Sequence, residues 1–170
     1  AWGGDTGGFD VNTNAPVNEG SYSLKFPTDS SPTFIGSLPG DGLNYYPEVG
    51  VPHVVDVFAT GTGGFGNRSN PSFFFGHDSR TEVLNGYSVE AAYGGTSGED
   101  NRRLAISRYD GGSNTVLASV SMALPEGSYY QVEMLHESDG SITARALDGE
   151  TEIDRVTATD STHLTGGEYD

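Results

Sequence analysis

At 170 residues and with no cysteine, the chain has the length of one domain and can fold on a core of its own without disulfides or thiolate metal sites. It carries 24 Asp and Glu against 8 Lys and Arg, which gives a formal net charge of -16 at pH 7. A surface this acidic repels phosphates, so we expect no nucleic-acid partner, and no apolar run approaches the roughly 18 residues that membrane insertion needs.

The first half of the chain carries the weaker strand pattern. Short apolar or alternating runs predict strands at residues 22–26, 34–37, 54–59 and 72–75. The loops at 38–52 and 61–71 are long and rich in Gly, Asn and Tyr. Long loops of this composition often carry binding residues, so they enter the search for a site.

The second half has a regular rhythm of strands and turns. Period-two alternation predicts strands at residues 87–93, 103–109, 115–121, 129–137, 142–147 and 152–159. Gly-containing turns separate the last five strands, at residues 110–112, 125–127, 138–140 and 148–150. We therefore predict one all-β domain over residues 1–170, folded as a two-sheet antiparallel β-sandwich.

The composition also predicts the working environment. Lys25 is the only lysine, and the aliphatic content is low for a folded chain. The acidic side chains repel one another, and molar salt screens this repulsion because the Debye length falls to roughly 3 Å. We therefore interpret the protein as halophilic. The alternative is an acidic secreted domain from ordinary salt. Because the sequence opens at Ala1 rather than methionine, we expect a mature product or a module of a larger protein.

Several short motifs carry a family resemblance. They include Trp2-Gly3-Gly4-Asp5-Thr6, Gly20-Ser21-Tyr22-Ser23-Leu24-Lys25, Leu124-Pro125-Glu126-Gly127 and Ala158-Thr159-Asp160-Ser161. In these motifs the chain resembles the concanavalin A-like, laminin-G-like (LamG-type) jelly rolls that are common in halophilic archaea and their viruses. The resemblance implies a jelly roll that binds carbohydrate or protein without catalysis. It departs at the C-terminus, where Gly166-Gly167 is followed by only three residues, so the last strand is expected to be short or altered.

The resemblance also implies structural calcium near the chain termini. Calcium takes six to eight oxygen ligands, which carboxylates and backbone carbonyls on converging loops supply. Asp5 lies in the Gly-rich opening and Asp160 lies after the last long predicted strand. We expect these two residues to be the metal ligands. With 24 carboxylates in the chain, the alternative is that both are ordinary surface acids.

The segment from Phe73 to Arg80 is the densest candidate for a ligand-binding face. Sugar recognition uses aromatic rings beside planar hydrogen-bonding groups. Alternation separates Phe74 from its two phenylalanine neighbours, and the following residues are polar. The expected ligand-binding residues here are Phe74, His77, Asp78 and Arg80, with Glu90 and Arg108 on the polar side of neighbouring strands. The alternative is a doubly buried strand with an Arg108–Glu90 cross-strand ion pair.

Two adjacent tyrosines form a second candidate. Tyr45 and Tyr46 lie in the long loop of the first half, where exposed rings could hold a sugar between them. The alternative is that both rings pack onto the sheet.

Catalysis finds little support in the sequence. Glu152 and Asp154 resemble part of a paired-carboxylate element of one glycoside hydrolase family, but the third acid is missing. Alternation would put both on one strand face, where carboxyls about 5 to 5.5 Å apart can support retaining hydrolysis. An acidic solvent face is the simpler interpretation, so we expect no catalytic residues; a hydrolase or lyase is the alternative.

Two functional hypotheses follow. The first is a lectin-like, calcium-stabilised module of a halophilic extracellular, cell-surface or virion-surface protein, whose partner is a polysaccharide or surface glycan. The second is a structural or adhesion module that binds protein, including other modules of a larger assembly, and has no sugar site.

Overall fold

The computed structural model describes residues 2–4, 10–12, 23–25, 35–37, 49–58, 72–75, 85–92, 103–122 and 128–163. These residues contain twelve β-strands and no helix. The strands are β1 Trp2–Gly4, β2 Asp10–Asn12, β3 Ser23–Lys25, β4 Ile35–Ser37, β5 His53–Phe58, β6 Ser72–Phe75, β7 Gly86–Ala92, β8 Arg103–Asp110, β9 Ser113–Ser121, β10 Tyr129–His136, β11 Ser141–Asp148 and β12 Thr151–Thr159.

Eight of the strands form two four-stranded antiparallel sheets. Sheet I has the order β12-β11-β10-β5, and sheet II has the order β6-β7-β8-β9. β8 with β9, β10 with β11, and β11 with β12 are hairpin neighbours, as the turns at 110–112, 138–140 and 148–150 predict. The hairpin predicted at the 125–127 turn is wrong, because β9 and β10 lie in different sheets. The remaining short strands pair as β1 with β4 and β2 with β3.

Three hairpin turns depend on glycine at positive φ. Gly111 (φ 57°) lies between β8 and β9, and Gly149 (φ 58°) lies between β11 and β12. Gly140 (φ 87°) turns β10 into β11, and its carbonyl oxygen accepts a hydrogen bond of 2.9 Å from the Asp160 backbone N–H. A Cβ at residue 140 would lie 2.9 Å from the Asp160 carbonyl oxygen, so any side chain there would displace the chain after β12.

One hydrophobic core lies between the two sheets. Sheet I supplies alternate residues of β10 and β11, whose burial alternates along both strands. Sheet II supplies the matching face of β7 and β8. The core residues from the two sheets include Val132, Met134, Ile142 and Ala144 on one side and Tyr87, Val89, Leu104 and Ile106 on the other. The shared core makes the molecule a β-sandwich, because each sheet buries one face against the other.

The all-β, two-sheet antiparallel prediction is confirmed. Predicted and observed strands of the second half agree to within two residues at each end. The sequence does not predict β1 and β2, because a strand of three residues is too short to show a period-two signal. The jelly-roll connectivity implied by the resemblance stays a prediction.

Candidate functional site

The outer face of the β8–β9 hairpin, which points away from the core, gathers polar and aromatic side chains. On β8, Leu104 and Ile106 belong to the core, and Ala105 and Ser107 between and after them face the opposite way, although all four are buried. Cross-strand register then places four pairs on the outer face: Arg103 with Ser121, Ala105 with Ser119, Ser107 with Val116, and Tyr109 with Asn114. These pairs run along six residues of strand, a length of about 20 Å. We call this surface the outer face.

An aromatic ring and an amide meet at the turn end of the outer face. Asn114 Nδ2 donates a hydrogen bond of 2.8 Å to the Tyr109 hydroxyl oxygen. Tyr109 is half-buried, whereas Asn114 is exposed. Val116, next on the same face, is 44% exposed. The turn end therefore offers an apolar surface beside a planar group that can donate and accept hydrogen bonds.

A charge pair lies at the other end of the outer face. Arg103 Nη2 donates to Glu90 Oε2 at 3.0 Å, and the Glu90 side chain is only 10% exposed against 35% for Arg103. Ser119 and Ser121 beside them on β9 are exposed. The face thus passes from a buried carboxylate on β7 to open hydroxyls on β9.

Buried hydroxyl groups complete this face. Ser88 on β7 lies opposite Ser107 on β8, and both side chains are buried although they face away from the core. Ser107 Oγ has no hydrogen-bond partner among the described residues. A buried hydroxyl without a partner costs free energy, but Ser107 is 0% exposed, so its hydroxyl is out of reach of a ligand on the surface.

The register corrects one prediction about this face. Glu90 pairs with Ala105 and lies on the outward side of sheet II, and Phe74 is paired with Ser88 in the strand register. Arg108, however, pairs with Tyr87 and faces the core side. Glu90 and Arg108 therefore lie on opposite faces. The alternative of an Arg108–Glu90 ion pair is also wrong, because Glu90 pairs with Arg103.

Arg108 instead joins a polar cluster that connects the two sheets. Its Nη1 donates to Asp160 Oδ2 at 2.5 Å, and its Nε donates to Asp110 Oδ2 at 2.8 Å. His163 Nε2 lies 2.9 Å from Asp110 Oδ1. Asp160 and His163 follow the last strand of sheet I, whereas Arg108 and Asp110 belong to sheet II. We call this cluster, with Tyr87, the inter-sheet clamp.

Tyr87 lies at the centre of the clamp. Its hydroxyl donates to Asp160 Oδ1 at 2.7 Å and accepts from the His163 backbone N–H at 3.0 Å. The Tyr87 and His163 rings meet edge to face with centroids 5.8 Å apart. Burial, with a smaller contribution from the Asp160 carboxylate, raises the pKa of Tyr87 to about 12. The phenol therefore stays neutral and continues to donate to Asp160 across the ordinary pH range.

The two clamp carboxylates are held in the charged form. Burial alone would raise the pKa of Asp160, but hydrogen bonds from the Thr162 backbone, Tyr87 and Arg108 outweigh it and lower that pKa well below its usual range. Hydrogen bonds from His163 and then Arg108 lower the pKa of Asp110. The clamp is thus a network of charge-assisted hydrogen bonds.

These contacts bear on the expected calcium site. Both carboxylate oxygens of Asp160 already accept hydrogen bonds, so a calcium ion bound there would have to replace Arg108 as the counter-charge. Within the described ranges, no group of three or more metal-ligating side chains is found. Asp5 lies outside the described residues, and calcium binding stays a prediction.

The paired carboxylates of β12 do not share a face. Ala146 pairs with Asp154 and Leu147 pairs with Glu152, so Ile153 is an extra residue that forms a β-bulge. The bulge turns Asp154 toward the core side and leaves Glu152 outside, where Arg155 Nη2 donates to Glu152 Oε2 at 2.6 Å. The expectation of two carboxyls on one strand face is therefore wrong.

Several predicted residues fall outside the described part of the chain. They are Tyr45, Tyr46, His77, Asp78 and Arg80. Conversely, sequence analysis missed Tyr109 and Asn114. Their positions on either side of the Asp110-Gly111-Gly112-Ser113 turn would have identified them, because residues that flank a hairpin turn symmetrically share a face.

Scans against protein-family models, curated proteins and solved structures find no match to the chain. The described residues include no helix long and apolar enough to cross a membrane. The geometry of the outer face and of the clamp is therefore the basis for any functional proposal.

Proposed function

We propose that the chain is a non-catalytic carbohydrate-binding module of a halophilic extracellular or surface protein, and that the outer face binds the glycan. The hydrogen-bonded Tyr109–Asn114 pair beside exposed Val116 is the observation that supports this proposal most directly. It combines an aromatic ring, an apolar contact and a polar amide on one surface. Protein sites that hold sugars need this combination, because a sugar presents C–H patches and hydroxyl groups together.

The remainder of the outer face fits an extended oligosaccharide. Ser119 and Ser121 present exposed hydroxyls along the same strand as Asn114. These groups donate and accept hydrogen bonds, as sugar hydroxyls do. Ala105 and Ser107 in the middle of β8 are fully buried, so the oligosaccharide would follow the exposed residues of β9. Ring stacking at the turn end and hydroxyl contacts at the other end of β9 can then engage different sugar units of one chain.

Screening on a glycan array in molar NaCl, followed by titration of the bound glycan, tests the proposal. Tyr109→Ala should weaken binding about tenfold or more, which corresponds to roughly 1.4 kcal/mol, because the stacking surface is lost. Tyr129→Ala is the matched control, since Tyr129 is a half-buried tyrosine in sheet I. Equal losses in both variants, or no glycan bound at any salt concentration, would reject the proposal.

The structural or adhesion module is a second candidate, supported by the edge strand β5. Val54 and Val55 of β5 are 49% and 39% exposed, and Val49 and Val51 before it are 46% and 41% exposed. An exposed apolar edge can pair with a strand of another protein. This candidate predicts association in molar NaCl that Val54→Lys reduces, measured by sedimentation equilibrium. If wild type and Val54→Lys are both monomeric, the adhesion-module candidate loses its support.

Structural calcium is a further part of the proposal, and it is supported by the family resemblance. A ligand that binds only the folded state stabilises it by RT ln(1 + [L]/Kd). Chelation at constant ionic strength should therefore lower Tm, and Asp5→Ala should abolish that difference. If wild type and Asp5→Ala respond alike to the chelator, Asp5 is not a ligand.

A further inference from the structure

We infer that the glycan bound by the outer face is uncharged, because the charges on that face are already compensated within the protein. The inference rests on the proposed function and adds the ligand's charge class to it. It excludes uronates and sulfated sugars as the preferred ligands. It equally excludes sugars that carry free amines.

Every arginine whose side chain the structure describes is bound to a carboxylate. On sheet I, Arg145 pairs with Glu133 and Arg155 pairs with Glu152. On sheet II, Arg108 pairs with Asp110 and Asp160, and Arg103 pairs with Glu90. Arginine is the side chain best suited to bind a carboxylate or sulfate, and here each described guanidinium already has an anionic partner.

The Arg103–Glu90 pair opposes an acidic ligand directly. Arg103 donates to Glu90 through Nη2, so an anionic sugar that bound its other N–H groups would share the guanidinium with Glu90. Sharing weakens the counter-charge of a nearly buried carboxylate, and an incompletely compensated buried charge is costly. The net charge of -16 adds a second, longer-range repulsion that molar salt removes, whereas the local cost persists in salt.

The same pair opposes a cationic ligand. An amine that bound Glu90 would have to displace Arg103, whose side chain is itself two-thirds covered. Among the described residues, the groups that remain exposed on the outer face are uncharged: the amide of Asn114 and the hydroxyls of Ser119 and Ser121. These groups match the hydroxyls of a neutral sugar.

Matched polysaccharides test the inference. The array carries neutral, carboxylated or sulfated, and amine-bearing forms of the same backbones, among them dextran, carboxymethyl-dextran and diethylaminoethyl-dextran, all probed in molar NaCl. We expect the neutral form to bind at least tenfold more tightly than either charged form. If a charged form binds as tightly or more tightly, the inference is wrong while the proposed function stands. If no form of any backbone binds, both fail.

Two isosteric variants link the preference to the charge pair. Glu90→Gln leaves Arg103 without its anion, so binding of the carboxylated form should rise about tenfold relative to the neutral form. Glu152→Gln is the control, because it removes the same charge beside Arg145 and Arg155 on sheet I. Equal shifts in both variants would show general electrostatics and overturn the inference.

Arg103→Gln provides the opposite test and does not depend on the stability of Glu90→Gln. It leaves Glu90 uncompensated, so the amine-bearing form should gain about tenfold over the neutral form. Near-ultraviolet circular dichroism confirms that each variant is folded. An Arg103→Gln protein that is folded and keeps the wild-type preference would contradict the inference.

Discussion

Arg103 and Arg108 lie five residues apart on β8 and serve opposite faces of it. Arg108 points toward the core side and binds two carboxylates that tie the end of sheet I to sheet II. Arg103 points outward and binds one carboxylate of its own sheet. Because side chains alternate between the two faces of a strand, Arg108 lies in the clamp and Arg103 lies on the candidate binding face. Changes in the clamp should cost stability, and changes on the outer face should cost binding.

Salt should produce the largest effect on stability, because it acts on all sixteen net negative charges together. Tm should rise as NaCl increases from about 0.1 M toward the molar range, where screening shortens the Debye length from roughly 10 Å to roughly 3 Å. Differential scanning calorimetry measures the rise, with sucrose at matched water activity as the control. A flat or falling Tm would contradict the halophilic interpretation and show that the attractive ion pairs dominate.

Asp160→Asn should be the most damaging single change in the clamp. It removes the charge that accepts from Arg108 and Tyr87, and bonds to charged groups contribute about 1.5–3 kcal/mol each. The Asn side chain can still accept some of these hydrogen bonds, so we expect the free energy of unfolding to fall by about 2 kcal/mol. This corresponds to a fall in Tm of about 4–8 °C. Asp148→Asn, at the exposed end of β11, is the matched control and should change stability by less than about 0.5 kcal/mol.

The stability difference between wild type and Asp160→Asn should also depend on pH. The folded pKa of Asp160 is lowered, so its stabilising contribution is complete above the unfolded value of about 3.9 and is lost as pH falls toward the folded value. Urea unfolding at pH 7 and at successively lower pH measures the difference. It should shrink below about pH 4; a difference that is constant with pH would show that shape, and not charge, explains the defect.

Tyr87→Phe should change stability less than either the change in salt or Asp160→Asn. It removes one hydroxyl that bonds Asp160 and the His163 backbone, which costs about 1 kcal/mol. Because the folded pKa of about 12 exceeds the unfolded value of about 10, the contribution of Tyr87 is complete below pH 10 and is lost as pH rises toward 12. Absorbance at alkaline pH should show one late-ionising tyrosine fewer in the variant, and an unchanged titration would place Tyr87 outside the clamp.

The sequence predicts the strands and turns of the second half because alternation and glycine turns are local signals. Residues such as Val132 and Met134 were assigned to one face by counting alone. Counting within a strand does not give the register between strands, which is why Glu90 and Arg108 were predicted to share a face. Asp160 follows β12, the last strand among the described residues, but its contact with Arg108 depends on how the two sheets pack. The bulge at Ile153 likewise left no local signal.

The most direct test of glycan binding at the outer face is a nuclear magnetic resonance titration in molar NaCl. The 15N-labelled protein is titrated with the neutral glycan that the array selects, and backbone amide shifts are mapped. We predict that the largest shifts fall on β8 and β9 around Tyr109, Asn114 and Ser119, while the amides of Asp160 and His163 in the clamp stay unchanged. Shifts that cluster at Asp160 and His163 or on β5, or no shifts at a saturating concentration, would contradict the account.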